Sequence, residues 1–311
     1  MKKENDNTAS TSGYHVPVLL HEAVEALQVK PEGVYVDCTF GGGGHSGEIL
    51  KKLGPAGKLF VFDQDADAKA NVPDDPRILF IPHNFRHLRR FLRLHKAPPV
   101  DGLLADLGVS SHQFDKAERG FSTRFDGDLD MRMDKRQERT AATALNSLSE
   151  PELHKLFEQY GEVTNSKTLA RTIVESRKIA PLKTIADLKN AVHAIVKGNP
   201  NKYFAQVFQA LRIEVNDELG ALKELLEQSP EVLNKNGRIA VITFHSLEDR
   251  LVKMFFKKGN FEEEEQKDVF GKAVSPPPLE PVTKKPVTAA ESEIKQNPRS
   301  RSARMRVAVK K

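Results

Sequence analysis

The chain has 311 residues and a net charge of +5, and 39% of its residues are hydrophobic. These values are ordinary for a folded protein with one large domain or two smaller ones. No apolar run approaches the length of a membrane span, so no membrane association is expected. Residues 1–13 are polar and lack the apolar core of a signal peptide, which predicts a disordered tail. The single cysteine, Cys38, cannot form an internal disulfide; we expect a core residue and a cytoplasmic protein.

A strand, a glycine-rich loop, a helix and a second strand follow one another near the start of the chain. The apolar residues 34–36 lead into Asp37, glycines occupy positions 41–44, and a strand over residues 59–62 ends in Asp63. Glycines let the backbone approach a ligand closely. In nucleotide-binding βαβ units, a carboxylate at about the position of Asp63 accepts hydrogen bonds from ribose hydroxyls. The pattern therefore predicts a nucleotide-type cofactor beside this loop.

The remaining elements predict one α/β domain that is interrupted by helices. A helix over residues 15–29 precedes the first strand, and later strands are predicted over residues 78–81 and 103–105, with an amphipathic helix over 85–96 between them. Strand character is then lost, and residues 115–200 carry three helical patterns, at 151–160, 167–178 and 185–197. This segment is too long for a structureless loop, which indicates a helical insert that recognises the substrate.

The α/β pattern resumes near residue 201. We predict a long helix over residues 203–226, a strand over 238–244, a helix over 247–258, an extended loop over 262–297 and a last strand over 302–309. The basic side of that last strand is expected to face outward. Residues 14–114 and 201–311 would thus form one discontinuous domain around the helical insert.

Two cofactor classes fit the glycine-rich loop, namely NAD(P) and S-adenosyl-L-methionine (SAM). The pyrophosphate of NAD(P) is an anion and gains nothing from Asp37, whereas SAM carries a sulfonium and an ammonium group that a carboxylate attracts. A closing β-hairpin is also typical of SAM-dependent methyltransferases and not of NAD domains. We therefore predict an α/β fold with the Rossmann-like sheet of class I SAM-dependent methyltransferases. An NAD(P)-dependent oxidoreductase remains the alternative.

Two clusters of basic residues indicate an anionic polymer as the partner. Residues 295–311 contain seven Lys and Arg and no acid, so the rest of the chain has a net charge of −2. The second cluster also lacks neighbouring acids and consists of Arg86, Arg89, Arg90, Arg93 and Lys96. Such patches are typical of proteins that bind nucleic acid. The alternative is a solvated helix face and a solubilising tail.

Six segments in this order closely resemble the bacterial ribosomal RNA small subunit methyltransferase H family. They are residues 39–46 (TFGGGGHS), 106–113 (DLGVSSHQ), 118–122 (ERGFS), 130–134 (DMRMD), 208–216 (FQALRIEVN) and 244–250 (FHSLEDR). The resemblance extends from about residue 15 to residue 309. It implies SAM-dependent methylation of N4 of a cytidine in the P-site region of the decoding centre of 16S rRNA, with the small ribosomal subunit as partner.

The resemblance also implies which residues contact SAM: Gly43, Gly44, His45, Asp63, Phe85, Asp106 and Gln113. These residues agree with the pattern of the chain, since the glycines would approach the methionine part and Phe85 would offer a ring face to the adenine. Asp128 and Thr243 depart from the usual family residues, which are proline and serine. Neither position is one of the implied SAM contacts.

The family motifs leave the catalytic group open. Asp106 ends the fourth strand, and we hypothesise that it orients the cytidine amine; alternatively it only binds SAM. His245 and Ser246 follow the strand over 238–244 and would face the target base, although a structural role for His245 is as plausible. Phosphate contacts are expected from Arg299, Arg301, Arg304 and Arg306.

No metal site is expected. The acids at positions 126, 128 and 130 imitate the start of a calcium loop, but the sixth position is Met131 and the twelfth is Gln137. No His/Cys cluster suggests zinc. A non-catalytic ribosome-assembly factor that retains a SAM fold is the remaining alternative.

Overall fold

The computed structural model describes residues 17–262 and 276–311. The predicted tail over residues 1–13 and part of the predicted loop over 262–297 lie outside these ranges. Within them, none of the helices is both long and apolar enough to cross a membrane.

A mixed sheet of seven strands forms the centre of the molecule. Its order is β3-β2-β1-β4-β5-β7-β6, in which the first five strands are parallel and β7 runs antiparallel to both neighbours. The strands are β1 Val34–Asp37, β2 Lys58–Phe62, β3 Ile78–Ile81, β4 Val100–Asp106, β5 Leu233–Thr243, β6 Leu279–Pro281 and β7 Arg304–Lys310. The α/β class and the closing antiparallel pair are thus confirmed.

Helices cover both faces of this sheet and form a separate group beside it. They are α1 Leu20–Leu27, α2 Gly44–Lys52, α3 Leu88–Leu94, α4 Ser111–Asp115, α5 Ala141–Ser147, α6 Glu150–Gln159, α7 Ser166–Ile179, α8 Ile185–Val192, α9 Pro200–Asn216, α10 Glu218–Val232, α11 Ser246–Lys258 and α12 Glu291–Gln296. Short 3-10 helices occur at Ala66–Asn71, Phe85–His87, Ala117–Arg119, His193–Ile195 and Pro298–Ser302.

The sheet lies between two apolar cores. One core contains Val36, Leu103 and Val241 and packs against α3, α10 and α11. The other contains Tyr35 and Leu104 and packs against α1 and α2. Neighbouring residues of one strand point to opposite faces, and both faces are covered. This explains why the central strands are continuously apolar in sequence.

A third core joins the helices between β4 and α10. It begins at Phe121 and includes residues of α9 up to Val215. The helical packing therefore continues past the predicted boundary at residue 200. The predicted helix over residues 203–226 is two helices, because Asp217 adopts a left-handed backbone conformation with φ 47° and separates α9 from α10.

Two further boundaries differ from the sequence predictions. Strand β5 begins at Leu233 rather than at residue 238, because the chain leaves α10 directly into the sheet, where Leu233 pairs with Val100. The predicted helix over residues 85–96 is the 3-10 turn Phe85–His87 followed by α3. Asn84 caps that turn by accepting a hydrogen bond from the Arg86 amide.

Candidate active site

A cavity of about 480 Å³ opens at the carboxyl ends of the parallel strands. Open α/β sheets bind ligands at this edge, because the loops that follow neighbouring strands meet there. The cavity is lined by the glycine-rich loop after β1, by Asp63 after β2, by Phe85 after β3 and by Asp106 at the end of β4. The structure thus brings together the ends of four strands, from Gly41 to Asp106, which lies 65 positions further along the chain.

The glycine-rich loop approaches the cavity through Gly41, Gly42 and Gly44. Gly43, a predicted SAM contact, is not a lining residue; it turns the backbone with φ 77° and precedes α2. A Cβ atom on Gly44 would lie 2.1 Å from Cγ of Pro17, so a side chain there has no room. The loop therefore needs glycine both for its turn and for its close packing.

Asp37 lies below the loop and not in the cavity. Its side chain is 1% exposed and accepts hydrogen bonds from the Thr39 amide and from the Ser46 hydroxyl, at 3.0 and 2.7 Å. Burial raises its pKa. Asp37 does not line the cavity, so it makes no direct contact with a ligand bound there. Asp106 is the carboxyl group that reaches the cavity from β4.

His45 is buried at the start of α2. Its Nε2 lies 3.1 Å from the carbonyl oxygen of Val18, and its Nδ1 lies 3.8 Å from Oδ2 of Asp106. Burial lowers the pKa of this histidine, which favours a neutral ring at pH 7. His45 therefore fixes one wall of the cavity beside Asp106.

Asp63 holds the glycine-rich loop in place. Its Oδ2 accepts a hydrogen bond from the Gly41 amide and its Oδ1 accepts one from the Asp65 amide, both at 2.8 Å. Burial raises the pKa of Asp63 to about 6. Each carboxylate oxygen has two lone pairs, so both can still accept a ligand hydroxyl.

Asp106 has an unsatisfied oxygen beside the cavity. The side chain is 23% exposed, but its Oδ1 is buried and has no hydrogen-bond partner within the described residues. Burial, together with the charges of Asp37 and Glu248, raises the pKa of Asp106 well above its ordinary value. The charged form of Asp106 is therefore costly in the free protein, and a bound cation or hydrogen-bond donor next to it would lower that cost. The donor set of the cavity thus fits SAM, which carries a sulfonium, an ammonium and ribose hydroxyls.

Phe85 and Gln113 both line the cavity, but the side-chain amide of Gln113 is already hydrogen-bonded within the protein. The Gln113 amide is 5% exposed; its Nε2 donates to Oδ2 of Asp65 at 2.7 Å and its Oε1 accepts from the Ser110 amide at 3.1 Å. Asp65 in turn forms an ion pair with Arg119 at 2.8 Å, and that arginine is 1% exposed. Gln113 therefore belongs to a buried network that shapes the wall of the cavity.

His245 and Ser246 do not line the cavity. His245 is the N-cap of α11, and its ring lies against Glu248, with Nε2 3.2 Å from Oε1. The residues that line the cavity here are Phe244 and Glu248. His245 thus has a structural role as the cap of α11, and the prediction that His245 and Ser246 face the target base stays a prediction.

The four arginines expected to contact phosphate differ sharply in their surroundings. Arg299 lines the cavity and Arg301 is exposed. Nη1 of Arg304 lies 3.3 Å from Oδ2 of Asp249. Arg306 is 9% exposed, and its guanidinium binds both oxygens of Asp249 at 2.6 and 3.1 Å. Arg306 is thus part of a buried ion pair between β7 and α11, and the expectation that it faces outward is wrong.

The basic cluster on and before α3 is partly neutralised by α10. Arg86 forms ion pairs with Glu224 and with Asp217, and Arg89 forms one with Glu231. The acids are far away in sequence, which is why the cluster reads as uncompensated. Three exposed cations of the cluster remain, namely Arg90, Arg93 and Lys96.

Several lining residues were missed by sequence reasoning. Asn216 and Glu218 flank the break between α9 and α10, and Phe244 and Glu248 surround the end of β5. Glu218 lies 2.9 Å from the guanidinium of Arg212, and burial raises its pKa. Asn216, Phe244 and Glu248 lie in the motif segments over residues 208–216 and 244–250, which was the available signal, whereas Glu218 lies two residues beyond the first segment.

The single cysteine and the acidic loop have structural surroundings. Cys38 is 2% exposed in the apolar core, as predicted, and burial raises its pKa well above the ordinary value. Asp126 accepts hydrogen bonds from two backbone amides, and Asp130 binds Arg132. Residues 17–262 and 276–311 contain no cluster of three His, Cys, Asp or Glu that would hold a metal.

Comparisons with known proteins place the chain in a family. A model of the MraW methylase family matches residues 12–311. A ribosomal RNA small subunit methyltransferase H from Flavobacterium johnsoniae is 52% identical over 302 residues, which cover 97% of this chain and 99% of that protein. The protein of that name from Parabacteroides distasonis is 53% identical over 301 residues, or 96% and 98% of the two chains.

A third relative of the same name, from Bacteroides fragilis, is 51% identical over 310 residues and covers 99% of this chain and 100% of its own. The family assignment removes the NAD(P)-dependent oxidoreductase as an alternative. This chain belongs to the MraW methylase family, and its sheet is the Rossmann-like α/β sheet of the SAM-dependent methyltransferases.

Proposed function

We propose that this chain transfers a methyl group from SAM to N4 of a cytidine in the P-site region of the decoding centre of 16S rRNA. The names of the relatives support small-subunit ribosomal RNA as the substrate. The observation that carries the choice of an amine is Asp106, whose carboxyl group lines the cavity and is 23% exposed. An amino group offers the hydrogen-bond donor that a carboxylate at this position can accept from.

The chain must overcome the low nucleophilicity of N4, whose lone pair is delocalised into the cytosine ring. Bound SAM supplies an electrophilic methyl group on a positively charged sulfur. Asp106 accepts a hydrogen bond from the amine, localises the lone pair and receives the proton, which contributes roughly 10²–10⁴ in rate. The raised pKa of Asp106 would be lowered by the positive charge of bound SAM next to it, which favours the carboxylate that this role requires.

The cavity divides its other tasks among residues from different strands. Gly41, Gly42 and Gly44 allow close approach of the methionine part, and Asp63 accepts the ribose hydroxyls. Phe85 offers its ring to the adenine. A fixed approach of amine to methyl group contributes roughly 7–11 kcal/mol toward the barrier.

The RNA must present its cytidine out of the stack, either in an irregular segment or by unstacking. We propose that the helical group built on the core from Phe121 to Val215 helps to select this substrate. Among the arginines expected to contact phosphate, Arg301 is exposed and has no ion pair within residues 17–262 and 276–311. Exposed cations of this kind supply the salt-dependent part of RNA affinity.

The variant Asp106→Asn tests the role of the carboxylate. We expect N4-methylcytidine formation to fall by about 10²–10⁴ and SAM affinity to fall by much less, because an amide cannot take the proton. Affinity is measured by calorimetry, and the product by digestion of small ribosomal particles that lack the modification. Asp101→Asn is the matched control, since Asp101 lies at the opposite end of the same strand, where it binds the Val34 amide.

Equal losses of SAM affinity and of turnover in Asp106→Asn would show that Asp106 only binds SAM. The unmodified protein is assayed in parallel on particles and on naked 16S rRNA. If the protein binds SAM but methylates neither the particles nor the naked RNA, the alternative function of a non-catalytic ribosome-assembly factor would be favoured over the proposal.

A further inference from the structure

Two neighbouring residues hold Arg299 at the edge of the cavity. Its guanidinium carbon lies 4.8 Å from the ring centre of Phe114, and its Nη2 donates to Oδ1 of Asp115 at 2.8 Å. The side chain lines the cavity and is 33% exposed. A free arginine side chain loses rotamer entropy when it is fixed. The contacts with Phe114 and Asp115 meet much of that cost before any ligand arrives.

A second arginine approaches the same ring. The guanidinium carbon of Arg124 lies 5.9 Å from the ring centre of Phe114. The three residues come from α4, from the loop after the 3-10 turn Ala117–Arg119 and from the 3-10 turn Pro298–Ser302. Segments that are far apart in sequence thus bring one aromatic ring, Phe114, and two guanidinium groups, of Arg124 and Arg299, together.

The pairing with Asp115 determines what Arg299 can bind best. Its ion pair compensates part of the positive charge, which weakens a contact with phosphate. The side chain stays one third exposed, and single-stranded RNA bases stack on guanidinium planes as well as on aromatic rings. The position at the rim puts this plane beside the entrance through which a target nucleotide must pass.

We propose that Arg299 stacks with the base of an unpaired RNA nucleotide adjacent to the target cytidine. This inference rests on the proposed function, because it requires RNA as the substrate. Phe114 and Asp115 act as positioning residues, since they orient the guanidinium without contacting the base. The expected contribution of one stacked base is roughly tenfold in RNA affinity.

The variants Arg299→Lys and Arg299→Ala separate stacking from charge. Lysine keeps the positive charge and loses the plane, so both variants should raise the KM for RNA about tenfold, while kcat and SAM affinity change little. Phe114→Leu should give a smaller increase. Arg171→Lys is the control, because Arg171 is an exposed, ion-paired arginine on α7 that should not affect the KM. Normal KM in Arg299→Lys would overturn stacking in favour of a phosphate contact.

Abasic RNA substrates identify the partner base. The base is removed from the nucleotide on the 5′ side or the 3′ side of the target, and each substrate is assayed with unmodified protein and with Arg299→Ala. At one of the two positions, the unmodified protein should lose about tenfold in affinity and Arg299→Ala should lose nothing further. Independent effects at both positions would overturn the inference. Methylation of intact RNA by the unmodified protein tests the proposed function separately.

Discussion

Asp63 and Asp106 show how neighbouring strand ends give one residue type different properties. Both carboxyl groups lie at the cavity, and burial raises the pKa of both. Asp63 is stabilised by two backbone amides, and its pKa is raised only to about 6. Asp106 has no such partner on Oδ1 and lies near Asp37 and Glu248, and its pKa is raised well above the ordinary range. The first is suited to holding hydroxyls and the second to exchanging a proton.

The pKa of Asp63 predicts how SAM affinity depends on pH. Hydroxyls that donate to the carboxylate stabilise the charged form, so the pKa of Asp63 should be lower with the ligand bound than in the free protein. Affinity should therefore be greatest above pH 6 and should fall as the pH falls through about 6, by up to about tenfold per unit. Calorimetry between about pH 5 and 8 measures this effect.

Asp63→Asn provides the control for that titration. The amide does not titrate, so the inflection near pH 6 should disappear while weaker binding persists. Circular dichroism at each pH checks that the fold is intact. An unchanged inflection in Asp63→Asn would assign the titration to another group.

At the scale of the elements, the loop between α4 and α5 depends on Gly120. This residue has φ 73°, and a Cβ atom there would lie 2.4 Å from the carbonyl oxygen of Asp128 and 2.9 Å from the amide nitrogen of Asp130. The Met131 amide also donates to the carbonyl of Arg119 at 3.0 Å. The loop therefore closes backbone on backbone, and a side chain cannot be accommodated by rotation alone.

The substitution Gly120→Ala should be far more costly than Gly198→Ala. Gly198 has a similar φ of 69° but open space around its Cα, so the change there should lower the free energy of unfolding by about 1 kcal/mol. At Gly120 the clash with backbone should add at least about 2 kcal/mol. Urea denaturation of both variants measures the difference. Equal losses would mean that the loop can shift freely.

At the scale of the whole molecule, ion pairs decide which basic residues are available to RNA. The net charge of +5 and the run of seven cations in residues 295–311 are sequence properties. Asp249 binds Arg306 and contacts Arg304, and Asp115 binds Arg299. The effective basic surface is therefore smaller than the composition indicates.

Arg301→Gln should weaken RNA binding in a salt-dependent manner. The plot of log affinity against log salt concentration has a negative slope, and removal of one phosphate contact should make this slope shallower by about one, without a change in SAM affinity. Filter binding of 16S rRNA at several salt concentrations measures the slope. Arg171→Gln, on α7, is the matched exposed control. An unchanged slope in Arg301→Gln would show that Arg301 does not contact phosphate.

The local parts of the fold and site could be predicted from residue patterns. The apolar strand before Asp37, the glycines that follow it and the strand before Asp63 lie within about thirty residues, so periodicity and glycine content determine them. The break at Asp217 could not be predicted in this way. It lies inside a continuous helical pattern, and its left-handed conformation accompanies an ion pair with Arg86 from a distant element.

By itself, the sequence determined the α/β class, the glycine-rich loop, the acids at the strand ends and the resemblance to a methyltransferase family. These properties depend on local patterns and short motifs. Only the tertiary structure decided that Asp106 keeps an unsatisfied oxygen, that His245 caps a helix and that Arg306 is buried. The physical reason is that burial and ion pairing depend on which distant segments meet, as Arg306 and Asp249 do across 57 positions of the chain.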